Sequence, residues 1–201
     1  MPSELSQRLI LASSSPRRKE ILAMAGFEFE IIPSTYQEPL HSDRLCDPRE
    51  FARELALGKG KEVFERTGKT RWVLSADTVG IIGHEVLEKP LDRADAKRML
   101  QALSGKEHIV LTVVALFSPD HDDPLVEEVT TKVLFSELEE KEIERYLDHD
   151  EYQDKAAAYA IQGRASVFVE KIEGDYFNVV GLPISTVSKM LKSMKRHEKN
   201  D

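Results

Sequence analysis

RLILASSSPRRKEILAMAG, residues 8–26, decides the fold. Arg8 to Ala12 is a short apolar run that predicts a buried strand, cut off by Ser13-Ser14-Ser15-Pro16. From Pro16 the spacing becomes helical, with Ile21, Leu22 and Ala25 on one face and Gly26 closing the helix. A buried strand feeding directly into a helix is the opening of an α/β unit, and ligands of α/β proteins gather at the carboxyl ends of such strands. Arg17, Arg18 and Lys19 fall in the first helical turn, behind a Ser15 cap and a Pro16 at the first helical position. Positive charge is disfavoured there, because the helix dipole already places about half a unit of positive charge at that end. An anion held by free N–H groups, serine hydroxyls and guanidinium forks removes the conflict. The alternative is two solvent-facing arginines with Ser15 acting only as a cap.

Outward from this stretch, strands and helices alternate. Phe27 to Ile32 predicts a second strand, and Pro33 to Pro48 a long loop holding Glu38. Asp47-Pro48-Arg49-Glu50 opens a helix that runs to about Arg66, with a box-like pairing of Asp47 and Glu50. Arg71 to Ala76 predicts a strand that delivers Asp77 and Thr78 at its carboxyl end, followed by a short hairpin from Val79 to Leu87. A helix over 92–103, strands over 108–117 and 128–135, a charged helix over 139–148, a strand over 166–172 and a final helix from about Ile184 complete the reading. The basic tail from Lys195 to Asp201 frays from that last helix.

At 201 residues the chain suits one domain, which at this size buries roughly 70% of the surface its unfolded chain exposes. Lys plus Arg total 28 against 36 Asp plus Glu, a formal net charge of −8 that argues against a general nucleic-acid binder. No apolar run approaches the ~18 residues of a membrane span. The start, MPSELSQR, lacks the pattern of a secretory signal, and the expectation is a cytoplasmic protein with no membrane partner. The single Cys46 excludes an internal disulfide, and the histidines (His41, His84, His108, His121, His149, His197) show no zinc-hydrolase spacing. Gly68-Lys69-Thr70 imitates the end of a phosphate-binding loop, but Val63 stands where that motif needs glycine, and a helix precedes it where a strand should.

Asp77, Glu38, Lys59 and Lys89 form a second chemical set. Two carboxylates can hold a hard divalent cation through oxygen and water, while lysines and arginines neutralise a triphosphate. Pro90 fixes the chain so that Lys89 projects reproducibly. Each residue also has an ordinary reading, Asp77 as a turn cap and the lysines as surface charges.

With these residues in place, the chain resembles the Maf family of nucleotide pyrophosphatases. The matching stretches are LILASSSPRRKEIL, Glu38, LALGKGK, LSADTVG, EKP, MLQALSGKEHIVLTVV and DKAAAYAIQGRASVFVEKIEGDYFNVVGLP, from about Arg8 to Leu191. The resemblance implies a two-lobed α/β fold around an elongated mixed central β-sheet flanked by helices. That fold is similar to inosine triphosphate pyrophosphatases, a single domain over 1–201 with a central cleft. It implies cleavage of a nucleoside triphosphate to monophosphate and pyrophosphate by a cytoplasmic homodimer, with a divalent metal cation (Mg, Mn or Co) as cofactor. Asp77 would be the general base and, with Glu38, a metal ligand. Lys59 and Lys89 would contact phosphates, and Ser13, Arg17 and Arg18 would grip the polyphosphate or the base-proximal end. Arg17, Thr78 and Gln162 match the branch that acts on dTTP and UTP. A glutamine amide offers both a donor and an acceptor, which suits the O4 and N3–H edge of a pyrimidine. The alternatives are a 7-methyl-GTP pyrophosphatase and a nucleotide-sensing regulator of cell division. The family often has glycine at Ala157 and Ala160 and alanine at Gly60, and extra methyl groups beside the base pocket would narrow it. Asp154 and Lys155 either face the cleft or form an ion pair.

Overall fold

The computed structural model describes residues 9–39 and 47–197. Arg8, His41, Cys46 and the last four residues of the basic tail lie outside the described residues.

One seven-stranded mixed sheet organises the molecule, in the order β2-β1-β3-β5-β6-β7 with β4 on β3. The strands are β1 (Leu9–Leu11), β2 (Glu30–Ile31), β3 (Trp72–Ile82), β4 (Glu85–Leu87), β5 (Glu107–Phe117), β6 (Leu125–Phe135) and β7 (Val169–Glu173). The helices are α1 (Pro16–Met24), α2 (Pro48–Arg66), α3 (Arg93–Leu103), α4 (Glu140–Leu147), α5 (Tyr176–Val180) and α6 (Ile184–His197). β1 runs parallel to β2 and β3, and the other pairings are antiparallel.

Alternation along β3 assigns the two faces. Trp72, Leu74 and Ala76 join the main core with Leu22 of α1, Leu100 of α3, Leu147 of α4 and Leu191 of α6. Val73 and Val79 point the other way, into two smaller clusters built on α2 residues Phe51, Leu55 and Val63. Both faces are covered, which is why β5 is buried over nearly its whole length. This is the α/β class with a helix-flanked mixed sheet that the sequence predicts. Among the described residues no helix is long and apolar enough to cross a membrane.

The sequence boundaries shift where pairing overrides composition. β3 does not stop at Ala76: antiparallel register with β5 continues from Val73 to Ile81, carrying the polar Asp77 and Thr78 inside the strand. The second strand shortens to Glu30–Ile31, since β1 offers only three residues to pair with. β6 begins at Leu125 because β5 supplies partners that far back, and β7 starts at Val169 after a tight 3-10 turn over Arg164–Phe168. α5 has no apolar periodicity to announce it. Asp175 starts it by accepting from the Phe177 and Asn178 N–H groups at 2.8 and 3.3 Å. Asp47 caps α2 as expected, but it accepts from Arg49 N–H at 2.7 Å. Gly68 and Lys69, with φ of 73° and 55°, form the helix-ending turn before β3.

Candidate active site

The site grows out of an interruption in the ladder of β3. On one edge β3 pairs continuously with β5. On the other it pairs with β1 only at Trp72–Leu74 and with β4 only at Gly80–Ile82. Residues 75–79 are left without a strand partner on that edge among the described residues. β1 ends because the serine run turns the chain away after Ala12 N–H donates to Leu74 carbonyl at 2.8 Å. A cleft of about 410 Å³ opens at this gap.

All nine residues singled out from the sequence line it: Ser13, Arg17, Arg18, Glu38, Lys59, Asp77, Thr78, Lys89 and Gln162. Adjacent strand residues project to opposite faces, so Asp77 and Thr78 serve two walls. Asp77, 6% exposed, faces α2 and accepts from Lys59 Nζ at 2.6 Å. The same ammonium lies 3.0 Å from the Glu38 carboxylate, so one lysine bridges the two acids. The chain reaches this geometry through Gly60, where α2 crosses β3 closely. A Cβ at Gly60 would overlap the Phe117 ring and the Ser75 hydroxyl, and that hydroxyl donates to Ala56 carbonyl on α2 at 2.7 Å.

On the opposite wall Thr78 shares a 2.9 Å hydrogen bond with Thr112 and accepts from Arg18 at 3.2 Å. Arg18 also donates to Gly181 carbonyl (2.9 Å), Ala76 carbonyl (2.7 Å) and the Ser13 hydroxyl (3.3 Å). Ala76 lies in the β3 gap, so the guanidinium satisfies a strand carbonyl that no neighbouring strand reaches. Four of its five N–H groups are thereby committed. Arg18 clamps α1, β3 and the end of α5, and its fork is not open to a phosphate. Burial lowers its pKa from the ordinary arginine value, and Asp77 partly restores it.

Arg17 differs. Burial lowers its pKa too, against the raising effect of Glu20, yet no hydrogen bond or ion pair ends on its guanidinium among the described residues. The expected Ser15 cap is absent: the Ser15 side chain makes no capping bond, and its N–H donates to the Ser13 hydroxyl at 3.2 Å. The first turn of α1 therefore meets the cleft without side-chain caps or acidic residues. Lys89 and Gln162 are exposed at the rim. Asp154 and Lys155 both line the cleft and make no ion pair with each other among the described residues.

Asp77 and Glu38 are cleft carboxylates that could hold a hard divalent cation. Among the described residues no group of three or more His, Cys, Asp or Glu side chains converges as a metal cluster. Mg²⁺ is commonly held by one or two carboxylates with waters and substrate phosphates completing its shell, and two acids that already share one ammonium match that need.

Sequence reasoning missed the pair behind Lys155's wall. His108 Nε2 shares a 2.9 Å hydrogen bond with the Tyr159 hydroxyl, and Tyr159 borders the cleft. Burial pushes the histidine down to about 4 and raises the tyrosine. The strand pattern signalled only that His108 stood among apolar residues.

Known proteins share much of this sequence. A dTTP/UTP pyrophosphatase of Geobacillus sp. (strain WCH70) is 45% identical over 188 residues, 94% of this chain and 98% of that protein. A dTTP/UTP pyrophosphatase of Thermococcus kodakarensis is 47% identical over 182 residues, 90% and 94% of the two chains. One of Geobacter sulfurreducens is 44% identical over 186 residues, 92% and 95%. The model of the Maf-like protein family matches residues 8–194, and the chain belongs to that family.

Proposed function

We propose that this protein hydrolyses the α–β phosphoanhydride of dTTP, UTP and related pyrimidine nucleotides to a nucleoside monophosphate and pyrophosphate. The role is nucleotide-pool house-cleaning in the cytoplasm, by a homodimer that uses Mg²⁺, Mn²⁺ or Co²⁺. The observation that carries this reading is Asp77, held by Lys59 in the β3 gap beside Glu38, in the same cleft as the cation-rich first turn of α1. A pure nucleotide sensor needs cations for phosphate, but it does not need a buried carboxylate in the same cleft.

Asp77 takes a proton from water as the water oxygen bonds to the α-phosphorus and the bond to the bridging oxygen breaks. The leaving pyrophosphate carries away the bridging oxygen and its electron pair. Lys59 keeps the Asp77 carboxylate oriented, and Arg18 fixes Thr78 on the opposite wall. Asp77 and Glu38 would hold a divalent cation, which neutralises phosphate charge when bound. Arg17 and Lys89 lie where they can meet phosphate oxygens, and Gln162 at the rim suits the hydrogen-bonding edge of a pyrimidine.

The reading is tested by incubating purified protein with dTTP, UTP, 7-methyl-GTP and purine triphosphates in Mg²⁺ and resolving the products. Monophosphate plus pyrophosphate, fastest with dTTP or UTP, is expected. Diphosphate plus orthophosphate, or no turnover of any of them, overturns it.

A further inference from the structure

Cations around the cleft divide into two groups by what they already hold. Lys59 is paired with two carboxylates, and Arg18 gives four of its five N–H groups to protein acceptors. Among the described residues Arg17 and Lys89 have no such partner, and a third cleft cation, Lys155, stands with them. Lys155 is half-buried on the cleft wall, and among the described residues its ammonium donates only to the Gln153 carbonyl, at 3.0 Å. Burial lowers its pKa, followed by the like charge of Arg17, while Asp154 and Glu151 raise it and Lys89 lowers it further. Neither acid forms an ion pair with Lys155 among the described residues. Arg17, Lys89 and Lys155 thus line one cleft, and among the described residues none of them forms an ion pair with an acid.

The backbone that presents Lys155 is strained. Asp154, Ala157 and Ala158 have φ of 57°, 59° and 59°, a left-handed conformation that costs a non-glycine residue about 1 kcal/mol or more. Packing holds the segment in place. Ala157 and Ala158 are buried, and Ala157 N–H donates to the carbonyl of Glu88, next to Lys89, at 3.1 Å. A Cβ on Gly80 would lie 2.7 Å from the Ala157 methyl, so that glycine in β3 makes room for the segment. The strained turn is thereby tied to the chain that carries Lys89.

We infer that Lys155 is a phosphate ligand that, with Arg17 and Lys89, binds the pyrophosphate end of the substrate and steadies the leaving group. This rests on the pyrophosphohydrolase reading above. It places the leaving group against the strained 154–158 wall and leaves Lys59 to organise the acids.

The test compares wild type with Lys155→Met, Lys155→Gln and Lys155→Arg, using inorganic pyrophosphate and dTMP as separate competitive inhibitors of dTTP hydrolysis. Thermal melts identify any variant that fails to fold, and the glutamine variant stands in for the methionine one in that event. Loss of a charge-assisted contact should weaken pyrophosphate about tenfold in the Met and Gln variants, leave dTMP within about twofold, and be largely rescued by arginine. Unchanged pyrophosphate inhibition in folded variants, or equal weakening of dTMP, overturns the role of Lys155 while the reaction stands. A wild-type protein that turns over no dTTP and binds no inorganic triphosphate by calorimetry overturns both.

Discussion

Replacing Lys59 with methionine should expose how strongly the acid pair depends on its lysine. The side chains alone of Lys59 and Asp77 are 12% and 9% exposed, with Nζ 2.6 Å from one carboxylate oxygen. Removing one partner of a buried pair costs about 3–5 kcal/mol, because the remaining charge keeps its desolvation penalty. The cleft admits some water, so the lower end of that range applies, about 3 kcal/mol. In a chain of this length each kcal/mol shifts Tm by roughly 2–4 °C, which puts the expected fall near ~10 °C. Asp77→Asn should cost far less, since the amide oxygen still accepts from Lys59 and Glu38 still pairs with it at 3.0 Å. In the double variant the bare carboxylate is gone, so it should be more stable than Lys59→Met alone. Urea unfolding of the four proteins, followed by circular dichroism, then gives a coupling of about 2 kcal/mol or more. Costs that add to within about 0.5 kcal/mol would refute the assignment of Lys59 as the cation that holds Asp77.

Asp77→Asn should lower kcat by about a hundredfold or more with a folded protein, and near-normal turnover would remove the residue from its role as base. Acid should destabilise the fold in two windows. Burial depresses His108 from 6.5 to about 4, so the unfolded chain gains a proton that the native one refuses, and stability falls as pH drops through that range. His108→Gln should flatten this part of a Tm-against-pH profile. Glu62, held near 2 chiefly by Arg66, adds stability above its ordinary value of 4.5 that is lost as pH falls toward 2, and Glu62→Gln should flatten only that lower window. Gly60→Ala should gain about 1 kcal/mol of helix propensity but lose about 1–3 to overpacking, since the new methyl meets Phe117 Cδ2 at 2.8 Å and closer atoms beside it. A lower Tm with reduced kcat is expected, because the displaced helix carries Lys59; a higher Tm with unchanged kcat would contradict the close approach of α2 and β3.

The parts of the site that are legible in the sequence are those that break a local rule. Cations in the first turn of α1 violate the dipole preference, and that misfit points to the cleft without knowledge of the fold. Asp77 stands out as a carboxylate in an apolar run, but its position in mid-strand depends on β5, more than thirty residues away, and reads from the sequence as a strand end. Arg18 is the clearest limit. Its type suggests a phosphate fork, whereas its partners, Gly181, Ala76 and Thr78, lie 163, 58 and 60 residues along the chain and become acceptors only once β1 ends short of the β3 gap. Gly60 is of the same kind. Glycine in mid-helix looks like a weakness until Phe117 and Ser75 are seen to fill the space where a side chain would go.

The most direct measurement is hydrolysis of dTTP in ¹⁸O-labelled water, with the products separated and weighed by mass spectrometry. Attack on the α-phosphorus from the Asp77 side predicts one ¹⁸O in the monophosphate and none in the pyrophosphate. Label in the pyrophosphate, or in released orthophosphate, would mean that water attacks elsewhere and that the cleft does not place Asp77 opposite the α–β bond.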